Sequence, residues 1–342
     1  MPVVPRRILV SRLSAMGDVA MVVPVLLALN KSYPSIEVFL LTQKRFFALF
    51  RDLEQVNLIE ADLKGRHKGL PGLVRLSREI NALEIETFLD LHNVLRTKVV
   101  RGLTKKARIF TIDKGRSEKK RLVKDPNFFQ PLAHTTERYL QVFHKAGFQF
   151  QLEKNAFLSR RDLSQKIKEV LGEKSTKWIG FAPFAAHKTK ALTVKRARKI
   201  TQRIASEFDV KIILIGGGKQ EERKLDLVAA TTSQVFNMAG KFTFEEELDV
   251  ISNLDAMIAM DSGNGHLAAL FNVPTITLWG NTHPYAGFAP YAQPDENQIC
   301  ADREKFPLLP TSVFGNEKVK GYLKVTNSIK ISRVVKRLRE VL

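Results

Sequence analysis

The chain has 342 residues, 44% of them hydrophobic, with a formal net charge of +20 and a pI near 10. That length exceeds an ordinary single core and predicts two domains of roughly 150 residues each. The single cysteine, Cys300, excludes an internal disulfide framework, while the charge calls for an anionic partner: nucleic acid, anionic lipid or a phosphorylated substrate.

The opening Met1 to Arg7 is short and broken by Pro2 and Pro5, unlike a signal sequence. The longest apolar stretch, Val19 to Leu29, contains Pro24 and falls short of a bilayer span. A soluble, cytoplasmic protein is the expectation.

Taken in chain order, Arg7 to Ser11 reads as a buried strand, followed by a loop to Asp18 and a helix over Val19 to Lys31 that ends before Pro34. Val38 to Leu41 is the next strand, closing a βαβ unit. Further strands are predicted at Thr87–Leu91 and Arg108–Ile112. Between Arg96 and Lys124 twelve lysines and arginines face only Asp113 and Glu118, a run read either as a solvated basic face or as an anion-binding surface. Polar sequence between Gln149 and Lys177 marks the domain boundary.

A second alternation of strands and helices then begins. It comprises a strand at Trp178–Ala182, a helix at Val194–Phe208, a strand at Val210–Ile215 and a helix at Gln220–Ala230. A strand at Ala256–Ala259, a helix at Leu267–Phe271 and a strand at Thr275–Leu278 follow. Two such doubly wound α/β domains facing each other make a cleft. Ser328 to Leu342 reads as an amphipathic docking helix with Ile331, Val334, Val335 and Leu338 on one face.

The sharpest local signal is Asp261-Ser262-Gly263-Asn264-Gly265-His266, between an apolar strand and a helix start. Glycines there permit close backbone approach and positive φ, and the unpaired N–H groups of a helix start face any anion, so this is a candidate diphosphate site. Lys188, Thr189 and Lys190 follow another strand; a lysine there can neutralise a diphosphate and Thr189 can donate a hydrogen bond. Gly216 to Gly218 end a third strand, and Gln220, Glu221 and Glu222 open its helix, where an acid can either complement the helix dipole or bind ribose hydroxyls.

In the first domain Ser14, Gly17 and Asp18 form the loop after the first strand. Asp18 is either a general base or a helix cap. The loop lacks Gly-x-Gly-x-x-Gly, which argues against a dinucleotide-dependent dehydrogenase. Asp90 to Arg96, with His92, Asn93 and Arg96, suits a phosphorylated acceptor. His266 has no second ligand at metal-binding spacing, so no metal site is expected.

With these motifs in view, the chain resembles glycosyltransferase family 9, the ADP-heptose:lipopolysaccharide heptosyltransferases. The likeness rests on Arg7 to Asp18, Asp90 to Arg96, Asp261 to Ala269 and Leu278 to Pro284, in this order over nearly the whole chain. It implies a GT-B architecture. Residues 1–155 would form the acceptor-binding Rossmann-like domain, 175–325 the nucleotide-sugar domain, and 326–342 a helix crossing back to the first domain.

It also implies an inverting, metal-independent transfer of a heptose or similar sugar from an ADP-sugar, a substrate rather than a cofactor, to a lipopolysaccharide inner-core or related glycolipid. Asp18 would be the base. Lys190, Thr189, Glu221, Asp261, Ser262, Gly263, Asn264, Gly265 and His266 would hold the donor, and Ser14, Gly17, His92, Asn93 and Arg96 the acceptor. The chain departs from the family in placing Ala191-Leu192-Thr193 after the lysine, where an aromatic residue and a proline are frequent.

A basic first domain agrees with an anionic glycolipid approached peripherally at the inner face of the cytoplasmic membrane. Two other readings compete: another GT-B nucleotide-sugar enzyme such as an epimerase, and a basic nucleic-acid-binding protein. Against the latter, the basic residues are not interleaved with aromatic stacking positions, so no nucleic-acid partner is expected.

Overall fold

The structure, a computed structural model, describes residues 5–153 and 155–342; Met1 to Val4, which open the segment read as no signal sequence, and Lys154 lie outside the described residues. The chain divides into two compact units, residues 1–114 with 135–156, and residues 115–134 with 157–342. No helix among the described residues is long and apolar enough to cross a membrane.

The first unit is built on strands β1 (Arg7–Ser11), β2 (Glu37–Thr42), β3 (Val56–Glu60), β4 (Thr87–Asp90) and β5 (Arg108–Thr111). All pairings are parallel and the order is β3-β2-β1-β4-β5. Ile8, Leu9 and Val10 are completely buried, as a central strand covered on both faces requires. The helices are α1 (Met16–Ala20), α2 (Val23–Ser32), α3 (Gly69–Asn81) and α4 (Leu95–Leu103). The single helix expected over Val19 to Lys31 is therefore two, with Pro24 in the first turn of α2, where its missing N–H costs nothing.

Helix α5 (Arg116–Lys124) lies in an excursion, residues 115–134, that belongs to the second unit, whereas α6 (Thr135–Lys145) returns to the first. One crossing between residues 149 and 177 was the sequence-based expectation. The excursion is held by Leu132 N–H donating to the Tyr285 carbonyl at 2.9 Å and by the Phe129 ring against His283 and Tyr285, each with centroids 4.8 Å apart. It also divides the basic run: Arg101 pairs with Asp90 in the first unit, while Lys119 covers the Phe288 ring and Arg121 the Phe128 ring in the second. Part of that charge thus has a packing role.

The second unit begins with α7 (Gln165–Leu171) and contains β6 (Lys177–Ala182), α8 (Val194–Glu207), β7 (Val210–Leu214), α9 (Lys219–Ala229), β8 (Val235–Asn237) and α10 (Phe244–Ser252). It continues with β9 (Ala256–Met260), α11 (Gly263–Leu270), β10 (Thr275–Trp279), β11 (Gln298–Cys300) and α12 (Ile331–Val341). The sheet is again parallel, in the order β11-β10-β9-β6-β7-β8.

The amphipathic C-terminal helix forms as expected, but its partner differs from the one that the family likeness implied. Val334, Val335 and Leu338 of α12 are buried in the core of the second unit, where α12 packs on α8 and β10. Arg339 pairs with Glu207 and Arg337 donates to Asn297 Oδ1 at 2.7 Å, fixing the helix to the same unit.

Candidate active site

In an open parallel sheet, ligands bind beyond the carboxyl ends of the strands where the strand order reverses. In the first unit that point lies between β1 and β4, so the loops holding Ser14 to Asp18 and Leu91 to Val94 flank it. Asp18 sits in the first turn of α1, with its side chain 24% exposed. Its Oδ2 accepts from the Ala15 N–H at 3.2 Å and pairs with Arg12 Nη2 at 2.5 Å. Both contacts use one oxygen, which leaves Oδ1 without a partner among the described residues. The cap and the base are therefore compatible: one oxygen anchors the carboxylate and the other can accept a proton.

Arg12 is buried and donates from Nη1 to the Leu91 carbonyl at 2.7 Å, tying the two loops together. Tyr139 OH donates to the Asp18 carbonyl at 3.1 Å. Completely buried Asp90 organises the second loop: Oδ1 accepts from Ser11 Oγ, His92 N and Asn93 N at 3.0, 3.0 and 2.8 Å, and Oδ2 pairs with Arg101 at 3.1 Å. Asn93 holds positive φ there and donates to the Ile112 carbonyl at 3.2 Å. Ser14 and Gly17 are half-buried in and after the first loop, and Arg96 is exposed in the first turn of α4.

His92 stands within electrostatic reach of Arg12, Lys114, Asp18 and Arg96. Burial first, and the neighbouring cations second, push its imidazole down to about 3. Because this lies below the unfolded value, the histidine's contribution to stability is present above pH ~6.5 and is lost as pH falls toward the folded value. The loss reaches about 2 kcal/mol at pH 5. Glu247, which burial raises to about 7, titrates in the opposite sense in the second unit, and His283, lowered by burial to about 4, in the same sense as His92. The test is therefore differential. Urea unfolding of His92→Gln at pH 7 and pH 5 should show a stability loss smaller than that of the parent by this amount; equal losses would show that His92 is not held neutral.

In the second unit the order reverses between β6 and β9, and the loops after these strands carry Lys190 and Asp261. Lys190 Nζ lies 3.0 Å from Asp261 Oδ2, which also accepts from Thr282 Oγ1 at 2.7 Å. An ammonium has three hydrogens, so Lys190 keeps two for another acceptor. Helix α11 starts immediately after Asp261, with Ser262 as an extended cap residue whose side chain makes no capping bond. Ser262 Oγ is buried without a partner in the described residues. A primary ammonium, a spare hydroxyl and the first N–H groups of a helix converge on one loop, a donor set suited to a diphosphate.

Other residues expected here have additional or different roles. Gly263 and Gly265 lie within α11 rather than in a loop of positive φ, and a Cβ on Gly265 would stand 3.3 Å from Ala259 Cβ and 3.4 Å from Pro290 Cγ, so its small size serves packing. His266 is buried in the same helix, and Asn264 is half-exposed beside Ser262. The Thr189 hydroxyl donates to the Gly315 carbonyl, which commits its hydrogen to the scaffold. Glu221 Oε2 accepts from Gly217 N–H at 2.8 Å, folding the carboxylate back over the glycine turn. Among the described residues no group of three or more His, Cys, Asp or Glu side chains is gathered as a metal cage would require.

Arg12, Thr282 and Gly315 are site residues that sequence reasoning did not single out. Gly315 has φ +78, and a Cβ there would come within 2.4 Å of both Lys190 Cγ and Cδ. Gly315→Ala should therefore push the lysine stem off Asp261, adding backbone strain of about 1 kcal/mol. Titration calorimetry should show binding of a nucleoside diphosphate about 3- to 10-fold weaker in this variant, within the range of a displaced charge-assisted bond; unchanged binding would free Lys190 from dependence on that glycine.

Residues 73–311 match the family model of glycosyltransferase family 9 (heptosyltransferase). The lipopolysaccharide core heptosyltransferase OpsX of Haemophilus influenzae is 23% identical over 297 residues, covering 84% of this chain and 82% of that protein. Among solved structures, a family 9 glycosyl transferase from Veillonella parvula superposes with a TM-score of 0.76 at 19% identity, covering 100% and 98% of the two chains. The E. coli heptosyltransferase WaaC with ADP gives 0.69 at 17% identity, covering 98% and 100%. These superpositions concern the fold, two Rossmann-like units of the GT-B kind.

Proposed function

This chain belongs to glycosyltransferase family 9 and is a glycosyltransferase, and from that premise we propose that it moves a heptose from ADP-heptose to the inner core of a lipopolysaccharide or a related glycolipid. The observation that carries the donor assignment is the cluster of Lys190, Asp261 and Thr282 at the start of α11. The choice of ADP and of a lipopolysaccharide acceptor is supported by the likeness to the lipopolysaccharide core heptosyltransferase OpsX and to WaaC with ADP.

The proposed reaction is a single displacement. The acceptor hydroxyl oxygen attacks the anomeric carbon, its proton passes to Asp18 Oδ1, and the bond from that carbon to the diphosphate oxygen breaks. Charge builds on the departing ADP, where Lys190 and the α11 N–H groups neutralise it, so the reading needs neither a metal ion nor a cofactor. One carboxylate acting as base, with no second carboxylate acting as nucleophile, implies inversion at the anomeric carbon. Arg12 positions the base, while His92, Asn93 and Arg96 stand on the same sheet edge as contacts for a phosphorylated acceptor. The enzyme would work at the cytoplasmic face of the inner membrane, where its acceptor is anchored, with no nucleic-acid partner.

A discontinuous assay of the purified protein tests this reading. ADP should be released only when ADP-heptose and a heptose-free core acceptor are both present. Release without acceptor would favour an epimerase-like or hydrolytic enzyme, and absence of release with both would remove this substrate pair.

A further inference from the structure

The first unit carries an apolar pocket at the starts of two of its helices. It has a volume of about 410 Å³ and is walled largely by Leu63, Leu70, Leu73, Leu95 and Val99, with His67, Lys68 and Arg96 among the polar residues of the lining. Leu70 and Leu95 open helices α3 and α4, which pack side by side, and both helices start at the carboxyl edge of the sheet, the edge that also carries Asp18. Leu70 is 62% and Leu95 77% exposed. The core of this unit is served by other positions of these helices, Leu76, Ile80 and Val100, while Leu73 lies between core and pocket. Two adjacent leucines held in solvent at helix starts, where polar residues would serve better, form an apolar surface that lacks a partner within the chain.

The charge around these leucines is predominantly positive. Lys64, Lys68, Arg96 and Lys98 are exposed, and none forms an ion pair among the described residues. The nearby acids are engaged elsewhere: Asp62 accepts from the Gly65 and Arg66 N–H groups at 2.9 Å each, and Glu79 faces Arg66 and His67. Leucines flanked by unpaired cations match the chemistry of a bilayer interface, where apolar tips enter the acyl boundary and cations meet headgroup phosphates.

We propose that this surface docks the protein on an anionic lipid bilayer, with Leu70 and Leu95 entering the interface and Lys64 and Lys68 contacting lipid phosphates. The proposal rests on the reading of a membrane-borne acceptor and gives it a place, orienting the Asp18 edge of the sheet toward the lipid.

Sedimentation with phosphatidylglycerol/phosphatidylcholine vesicles, containing no sugar acceptor, tests it. The protein should bind these vesicles, bind pure phosphatidylcholine weakly, and be released by salt. Leu70→Glu/Leu95→Glu should lower the partition coefficient about tenfold or more, by removing two apolar insertions. Lys64→Ala/Lys68→Ala should also lower it about tenfold or more, by removing two cations from an anionic surface. Circular dichroism and thermal melts should be unchanged, since both leucines are exposed.

No binding by the parent protein, parental binding by the leucine variant, or a dimer in velocity sedimentation that depends on these leucines would overturn the proposal. Transfer to a deacylated, water-soluble acceptor separates the two readings. The leucine variant should retain parental turnover in that assay, and its loss would place the patch in the sugar site instead. A parent that binds vesicles but transfers no sugar would retain the dock and remove the proposed activity.

Discussion

Asp18→Asn is expected to lower kcat about 10²- to 10⁴-fold, the usual worth of a positioned general base, while leaving the dissociation constant for ADP unchanged. Asparagine keeps an oxygen able to accept from the Ala15 N–H and Arg12, the contacts that anchor the aspartate. The local fold is thereby retained, and what is lost is the unpartnered oxygen proposed to take the proton. Steady-state kinetics together with calorimetry separates these effects. Parental turnover would reduce Asp18 to a helix cap, whereas a large change in ADP affinity would show that the substitution disturbs the second unit.

Lys190→Ala carries the second large effect. ADP binding should weaken about 10- to 100-fold, since a charge-assisted contact to phosphate is lost, and kcat/KM should fall at least as far. The substitution also strips Asp261 of its cation, and a largely buried carboxylate without its partner is itself costly. Lys190→Ala/Asp261→Asn resolves that ambiguity, because it removes the unpaired charge as well. If the lysine grips the diphosphate, the double variant recovers thermal stability without recovering ADP affinity. Recovery of both would make the pair a structural bridge.

Long apolar runs were the readable part of the fold. Arg7–Ser11, Val210–Leu214 and Ala256–Met260 are central strands covered on both faces, and the sequence alone marks them. β3 was not foreseen. It is an edge strand whose side chains, apart from Val56, are only partly covered, so Val56 to Glu60 lacks a continuous apolar signature. α3 was hidden by its Gly69-Leu70-Pro71-Gly72 opening, which reads as a turn although Pro71 is tolerated within a first helical turn. The stripe on α12 announced burial but carried no information about which unit would receive it.

Much the same limit applies to the candidate site. The loops holding Asp18 and Asp261 were visible because strand, turn and helix signals meet there. Which atoms those carboxylates touch depends on tertiary contacts: Lys190 reaches Asp261 across 71 positions, and Asp90 receives Ser11 across 79. Gly315 could not be found locally either, because its role comes from the lysine stem that packs above it.

In the proposed single displacement Asp18 takes the proton and Lys190 holds the departing diphosphate. The stereochemistry of the new bond tests this most directly. Heptosylated acceptor made from ADP-heptose of known anomeric configuration should carry the opposite configuration, read from the one-bond carbon–hydrogen coupling of the anomeric centre by NMR. Retention of the donor's configuration would contradict it, requiring either a covalent intermediate or a same-face route that a single base at Asp18 does not provide.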